Sequence, residues 1–159
     1  MTWLSKLMRR LRQEPIYTLP ALTALFENHG FRYAGFRRDD SALTGSEEHY
    51  FARRDCSFVV EFGIGQHTHG DCSVAVSASH PDGPAKTLHA PLSYFVDYRS
   101  ALNRLWLSGR AADDALAESV APHIEYASRV ALLAHQRGRS IPLLEDLKDA
   151  RVGGGGVEP

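Results

Sequence analysis

Three residues in a glycine-flanked segment are of types whose side chains can bind metal ions. His67 and His69 are two residues apart, and Asp71 follows them. In an extended chain, side chains two residues apart point to the same side, so both imidazoles can reach one ion. A catalytic zinc site takes three protein ligands and keeps one open position. The spacing predicts a metal-binding protein or metal-dependent enzyme that uses zinc or another divalent metal, with a third ligand from Asp71, His80 or Glu61.

The same segment is also typical of a flexible hairpin loop that contains two histidines. Its spacing fixes no third ligand, and it lacks the His-Glu-x-x-His pattern of a helical zinc site. Elsewhere the sequence has no phosphate-binding glycine loop followed by lysine, and no serine between nucleophile-elbow glycines. These features favour a protein that is not an enzyme and that needs no cofactor.

The two cysteines are predicted to be free thiols. If the strands around the histidine segment form a hairpin, Cys72 lies opposite residue 62 and Cys56 lies near the far end. A disulfide needs Cα atoms within about 7 Å, which this register prevents. Free thiols are typical of a reducing compartment, so we expect a cytoplasmic protein.

Arginine pairs occur among aromatic residues at Arg37-Arg38 and Arg53-Arg54. On one sheet face, such residues stack on bases and bind the phosphates of RNA or single-stranded nucleic acid. Acidic residues flank both pairs, as is typical of a solvated face of mixed charge. The net charge of −1 also gives no general attraction to nucleic acid, so this alternative is disfavoured.

A protein partner is favoured instead. Tyrosine and arginine are enriched at the positions that dominate the energy of protein interfaces. The candidate partner-binding residues are Arg53, Arg54, Tyr98 and Arg99. Exposed sheet edges at 31–38 or 87–90 also leave a homodimer open.

The strands follow from alternating apolar residues, which mark sheets with one buried face. The predicted core of the sheet is Phe58, Val60, Phe62, Ile64, Val74, Val76 and Ala78. In the first strand, Phe31, Tyr33 and Gly35 are expected on one face and Arg32, Ala34 and Phe36 on the other. The sequence predicts a four-stranded antiparallel meander over 31–38, 48–54, 57–64 and 72–79.

Helices are predicted before and after this meander, packed mainly on one face of it, which is an α+β fold. One covers 19–28, with Gly30 as its stop. The later ones cover 91–106, with its end at Ser108-Gly109, then 113–137, interrupted at Pro122, and 141–148. A short edge strand is expected at 87–90.

The length of 159 residues suits a single domain, predicted over 15–148. Residues 1–14 are predicted as a basic amphipathic helix that packs on the domain, on a partner or on a membrane surface. Residues 149–159 are predicted as a disordered glycine-rich tail. No apolar run approaches the ~20 residues that span a bilayer.

Several motifs together carry a resemblance to a known class. They are His29-Gly30-Phe31, Tyr50-Phe51, the strand from Cys56 to Ile64, a helix with Leu102 and Trp106, Ala131-Leu132-Leu133-Ala134-His135, and Pro142-Leu143-Leu144. Over about residues 17–147 the chain resembles small uncharacterised bacterial α+β proteins of the polymorphic-toxin immunity protein type. The resemblance implies a protein that binds a partner tightly, as an immunity or regulatory protein, and it implies no catalytic residues.

Overall fold

The computed structural model describes residues 14–68, 72–78, 90–91, 109–139 and 141–153. These residues form an antiparallel sheet with the strand order β1-β2-β3-β4-β5. The strands are β1 (Arg32–Asp39), β2 (Ser46–Ala52), β3 (Cys56–Gly63), β4 (Cys72–Ala78) and β5 (Ala90–Pro91). The predicted α+β fold and its four-stranded antiparallel meander are therefore confirmed, and the short β5 adds an edge beside β4.

The helices are α1 (Pro20–Asn28), α2 (Gly109–Val120), α3 (Ile124–Gln136) and α4 (Leu144–Val152), with a 3-10 turn at Ala121–His123. Gly30, with φ of 80°, follows the end of α1 as predicted. The predicted interruption at Pro122 is the 3-10 turn between α2 and α3. None of the helices in the described ranges combines the length and the apolar composition needed to cross a membrane.

Two predicted helix boundaries are wrong. Pro91 pairs with Ala75 as part of β5, where an edge strand accepts proline, and does not begin a helix. Gly109 is the first residue of α2, where the sequence predicted the end of a helix. The remainder of the predicted helix over 91–106 lies outside the described residues.

The predicted tail begins too early. α4 continues through Val152, so residues 149–152 are helical. The reason is packing on α3, because Ala150 is buried and its carbonyl accepts a hydrogen bond from Arg129 Nε at 3.0 Å. Residues 154–159, and residues 1–13 of the predicted N-terminal helix, lie outside the described residues.

One apolar core joins α1, α2 and α3 to a single face of the sheet. At its centre Phe26 of α1 stacks on Phe51 at 4.4 Å between ring centroids and lies 5.0 Å from Phe58. Full burial of such a side chain contributes about 1.5–3 kcal/mol. The predicted core residues of β3 and β4 are buried, except Ile64, which is half-buried because it follows the end of β3.

A β-bulge changes the face assignment in β1. The register with β2 shifts between Tyr33 and Gly35, where Gly35 has φ of 113°. An extra residue in one strand reverses the alternation beyond it. Phe36 therefore joins Tyr33 on the face of His49, contrary to the sequence prediction. A bulge on an edge strand also discourages pairing with another chain.

The carboxylate of Asp113 in α2 caps the N-terminus of α1. It accepts hydrogen bonds from the backbone N–H of Ala21 at 2.7 Å and of Leu22 at 3.0 Å, and it is 1% exposed. Leu19, the local N-cap residue, has no side-chain hydrogen bond to offer. The buried N–H groups of α1 therefore depend on a residue that is distant in sequence.

Replacing Asp113 with alanine is expected to lower the free energy of unfolding by about 1–2 kcal/mol, because two N–H donors lose their acceptor. Urea denaturation followed by circular dichroism measures the change. Asp114→Ala is the matched control. Asp114 is the exposed neighbour of Asp113, and its substitution should change the free energy of unfolding by less than about 0.5 kcal/mol. Equal effects of the two substitutions would contradict the capping role.

Candidate functional site

Two loops lie side by side at one end of the sheet, and we call residues 41–45 and 63–68 the paired loops. Gly45 O accepts hydrogen bonds from Ile64 N at 2.8 Å and Gly65 N at 3.0 Å. Further along, Gln66 N donates to Ala42 O and His67 N donates to Leu43 O, both at 2.8 Å. The segment that contains His67 therefore packs against the β1–β2 hairpin instead of forming an isolated hairpin tip.

Glycines make this close approach of two backbones feasible. A Cβ atom at Gly65 would lie 2.5 Å from Gly45 N on the facing loop, and one at Gly63 would lie 1.7 Å from Thr68 O within its own loop. Thr68 reinforces the contact, since its Oγ1 donates to Gly45 O at 2.9 Å and accepts from Gly65 N at 3.2 Å. The sequence of the loops thus specifies one defined arrangement.

The paired loops present exposed side chains of mixed character. Leu43 is 51% exposed, which is high for a large apolar residue. Gln66 and His67 on the facing loop are exposed as well. Because the backbones beneath them are hydrogen-bonded to each other, these side chains project from a fixed base.

A pocket of about 200 Å³ lies beside the paired loops, and the β3 and β4 residues Glu61 and Ser73 contribute to it from the sheet face away from the helices. It is lined by Thr44, Ser46, Glu61, Gly63, Thr68, Cys72 and Ser73. Glu61 and Ser73 are register partners, and Ser73 Oγ lies 3.5 Å from Glu61 Oε2. Burial raises the pKa of Cys72 to about 12, with a further contribution from Glu61, so its thiol is protonated at neutral pH.

Of the predicted metal ligands, the structure describes His67, whose side chain is exposed, and the alternative third ligand Glu61, which lines the pocket. His69, Asp71 and the alternative ligand His80 lie outside the described residues. Within the described ranges, no three histidine, cysteine, aspartate or glutamate side chains come close enough together to hold a metal ion. The metal site, which requires His69 beside His67, stays a prediction.

Arg53 is engaged within the fold. Its Nε lies 2.7 Å from Asp55 Oδ1 and its Nη1 lies 3.2 Å from Glu125 Oε1, while its guanidinium stacks over the Phe31 ring at 4.5 Å. These contacts connect the β2–β3 turn to α3. Arg54 next to it is exposed, and Tyr98 and Arg99 lie outside the described residues. A role for any of these residues in partner binding stays a prediction.

The other arginine pair is divided between the two faces of the sheet. Arg38 lies on the helix side, where its Nη1 is 3.6 Å from Glu47 Oε2 and donates to Glu14 O at 2.9 Å. Arg37 is exposed on the opposite face. In the part of the chain that the structure describes, the two arginine pairs therefore do not form one continuous surface. Nucleic-acid binding stays a prediction.

The sequence patterns did not predict a buried polar network around Glu47. Glu47 is fully buried, and its carboxylate accepts from Ile16 N at 2.8 Å and Tyr17 N at 3.0 Å. His49 Nε2 lies 2.9 Å from Glu47 Oε1, and Tyr33 Oη lies 3.1 Å from His49 Nδ1. One signal was present, because Glu47 and His49 alternate with the apolar Phe51 along β2 and must share its buried face.

The protonation of this network follows from its contacts. Burial acts to raise the pKa of Glu47, but hydrogen bonds from His49, Ile16 and Tyr17 outweigh it and hold that pKa below its usual value. The ionised carboxylate only accepts, so His49 Nε2 carries a proton. Burial and the charge of Glu47 raise the pKa of Tyr33, so its phenol stays protonated. The network anchors the chain before α1 to the sheet.

Neither the family models, nor the curated proteins, nor the solved structures gave a match to this chain.

Proposed function

We propose that this protein is a non-enzymatic protein-binding module, and that the paired loops form the centre of its binding surface. The observation that carries this proposal is the set of hydrogen bonds that fixes the segment at residues 64–67 on the loop at residues 42–45. Loops that are already ordered lose little conformational entropy when they bind, so more of the contact energy becomes affinity.

The chemistry of the surface supports a protein partner. Leu43 offers an exposed apolar contact, while Gln66 and His67 beside it offer polar ones. Protein interfaces combine an apolar centre with a polar rim in this way. Loops carried on a rigid sheet are also the usual place for binding residues.

The two thiols support binding rather than nucleophilic chemistry. Burial raises the pKa of Cys56 to about 11 and that of Cys72 to about 12. The thiolate is the nucleophilic form of cysteine, and at neutral pH both groups are protonated. In its specific form, the proposal assigns the protein the role that the resemblance implies, namely an immunity or regulatory protein that neutralises or docks onto a partner protein.

Substitution of Leu43 by aspartate is expected to reduce capture of the partner at least tenfold, because a charge replaces the apolar contact at the centre of the surface. The full chain, tagged at one end, is used to enrich proteins from the source cell, and enrichment is quantified by mass spectrometry for each variant. Leu144→Asp on α4 is the matched control, because Leu144 is also an exposed leucine (66%) but lies outside the paired loops.

A protein that the wild type and Leu144→Asp capture equally, and that Leu43→Asp loses, supports the proposal. A captured protein that Leu43→Asp retains at full yield contradicts it, as does failure to capture any protein at micromolar concentration. Light scattering on the purified wild type distinguishes a second copy of this chain from a different partner.

A further inference from the structure

Two carboxylates face each other on the sheet beside the paired loops. Glu48 of β2 and Glu61 of β3 are register partners on the face away from the helices. Like charges placed directly opposite each other destabilise a sheet. Among the described residues neither carboxylate forms an ion pair, although Arg37 lies opposite Glu48 on β1 and the Tyr50 hydroxyl donates to Glu48. This part of the face therefore has negative charge that a bound cation would neutralise.

The pocket next to this pair is lined by one carboxylate and four hydroxyl groups, together with Gly63 and Cys72. Among the described residues of its lining, Glu61 is the charged one, and hydroxyl groups come from Thr44, Ser46, Thr68 and Ser73. A hydroxyl oxygen has two lone pairs and accepts even while its proton is donated elsewhere. The hydroxyls of Thr68 and Ser73 already donate to Gly45 O and to Glu61, so toward a ligand they act as acceptors.

The size of the pocket selects a small group. Its volume of about 200 Å³ is below the range of roughly 300–1,000 Å³ in which whole small-molecule ligands are held. Arginine presents five N–H donors in a planar fork, so it reaches a carboxylate and several hydroxyls at once. Lysine presents three donors from a single nitrogen, so it lacks the planar fork that matches a carboxylate.

We propose that this pocket receives an arginine side chain of the partner protein, with Glu61 as its counter-ion. The proposal rests on the proposed function, because Gly63, Thr44 and Thr68 belong both to the pocket and to the paired loops. An arginine inserted there would lie at the edge of the surface centred on Leu43. Charge-assisted hydrogen bonds to Glu61 would then set the orientation of the partner.

Methylguanidinium chloride is the probe for this site, titrated into the isotopically labelled full chain and followed by NMR. We expect saturable shifts of the amides at residues 44–46, 61–63, 68 and 73, and at least tenfold weaker binding to Glu61→Gln. Glu27→Gln, an exposed glutamate on α1, is the matched control and should bind as the wild type does. Sodium chloride at equal concentration separates binding from ionic strength.

Absence of saturable shifts, or equal binding by Glu61→Gln, would overturn the site. Methylammonium binding as tightly as methylguanidinium would overturn the choice of arginine. Unchanged urea midpoints show that the Glu61 variant is folded. If Leu43→Asp loses the captured partner and Glu61→Gln retains it, the pocket is not part of the interface. The proposed function would still be supported by that result.

Discussion

Glu47→Ala is expected to lower the free energy of unfolding by about 3–5 kcal/mol, the range found when one member of a buried charged network is removed. The substitution takes away the acceptor of Ile16 N, Tyr17 N and His49 Nε2, which stay buried or half-buried. Unsatisfied buried donors each carry a desolvation penalty. Urea denaturation followed by circular dichroism measures the loss.

Glu48→Ala is the control for this substitution, because it removes a neighbouring carboxylate from the half-buried outer face. We expect a change below about 1 kcal/mol there. A loss from Glu47→Ala as small as that from Glu48→Ala would show that the network does not anchor the chain before α1.

The pH dependence provides an independent check on Glu47. Its pKa in the folded protein is below the ordinary value of 4.5, which applies in the unfolded chain. The stabilisation from this shift is complete above that ordinary value and is lost as the pH falls through the folded pKa. The stability difference between the wild type and Glu47→Ala should therefore be largest at neutral pH and should narrow below about pH 4.5.

Gly63→Ala is expected to lower the free energy of unfolding by about 3 kcal/mol, the upper part of the range for overpacking, and to abolish partner capture. The added Cβ would lie 1.7 Å from Thr68 O, so Gly63 and Thr68 must separate and the loop at residues 63–68, which is hydrogen-bonded to residues 42–45, must change its conformation. That movement breaks the hydrogen bonds that join the paired loops. Urea denaturation measures the stability, and the capture experiment measures the binding.

Gly153→Ala is the matched control for Gly63→Ala. Gly153 has φ of −71°, and its nearest contact to an added Cβ would be 3.7 Å, so alanine fits without displacement. We expect stability within about 0.5 kcal/mol of the wild type and unchanged capture. If Gly63→Ala behaves like Gly153→Ala, the paired loops are not held as the structure places them.

Residue periodicity was sufficient to predict the sheet. Phe58, Val60, Val74 and Val76 alternate strictly, and burial of one face requires that alternation, so their strands and core positions were predictable. The free cysteines were predictable for the same reason, because the register places Cys72 opposite Phe62 and Cys56 opposite Ala78. The interruption at Pro122 follows from the chemistry of proline alone.

The faces of β1 and the buried polar contacts could not be predicted from the sequence. The bulge at Ala34 reverses the faces beyond it, and a single inserted residue leaves no periodic signal in so short a strand. Asp113 caps a helix from which it is separated by the whole sheet in sequence. Burial of Glu47 depends on donors at residues 16 and 17 that the pattern of β2 does not reveal.

The sequence by itself determined the α+β class, the antiparallel meander and most of its core, because these depend on apolar periodicity within single segments. Only the tertiary structure decided that the segment with His67 lies on the neighbouring hairpin, and that Glu61 and four hydroxyls line one pocket. The physical reason is that these contacts join residues that are far apart in sequence. Periodicity within a segment reveals its buried face, but it does not reveal which distant loop or strand that segment will contact.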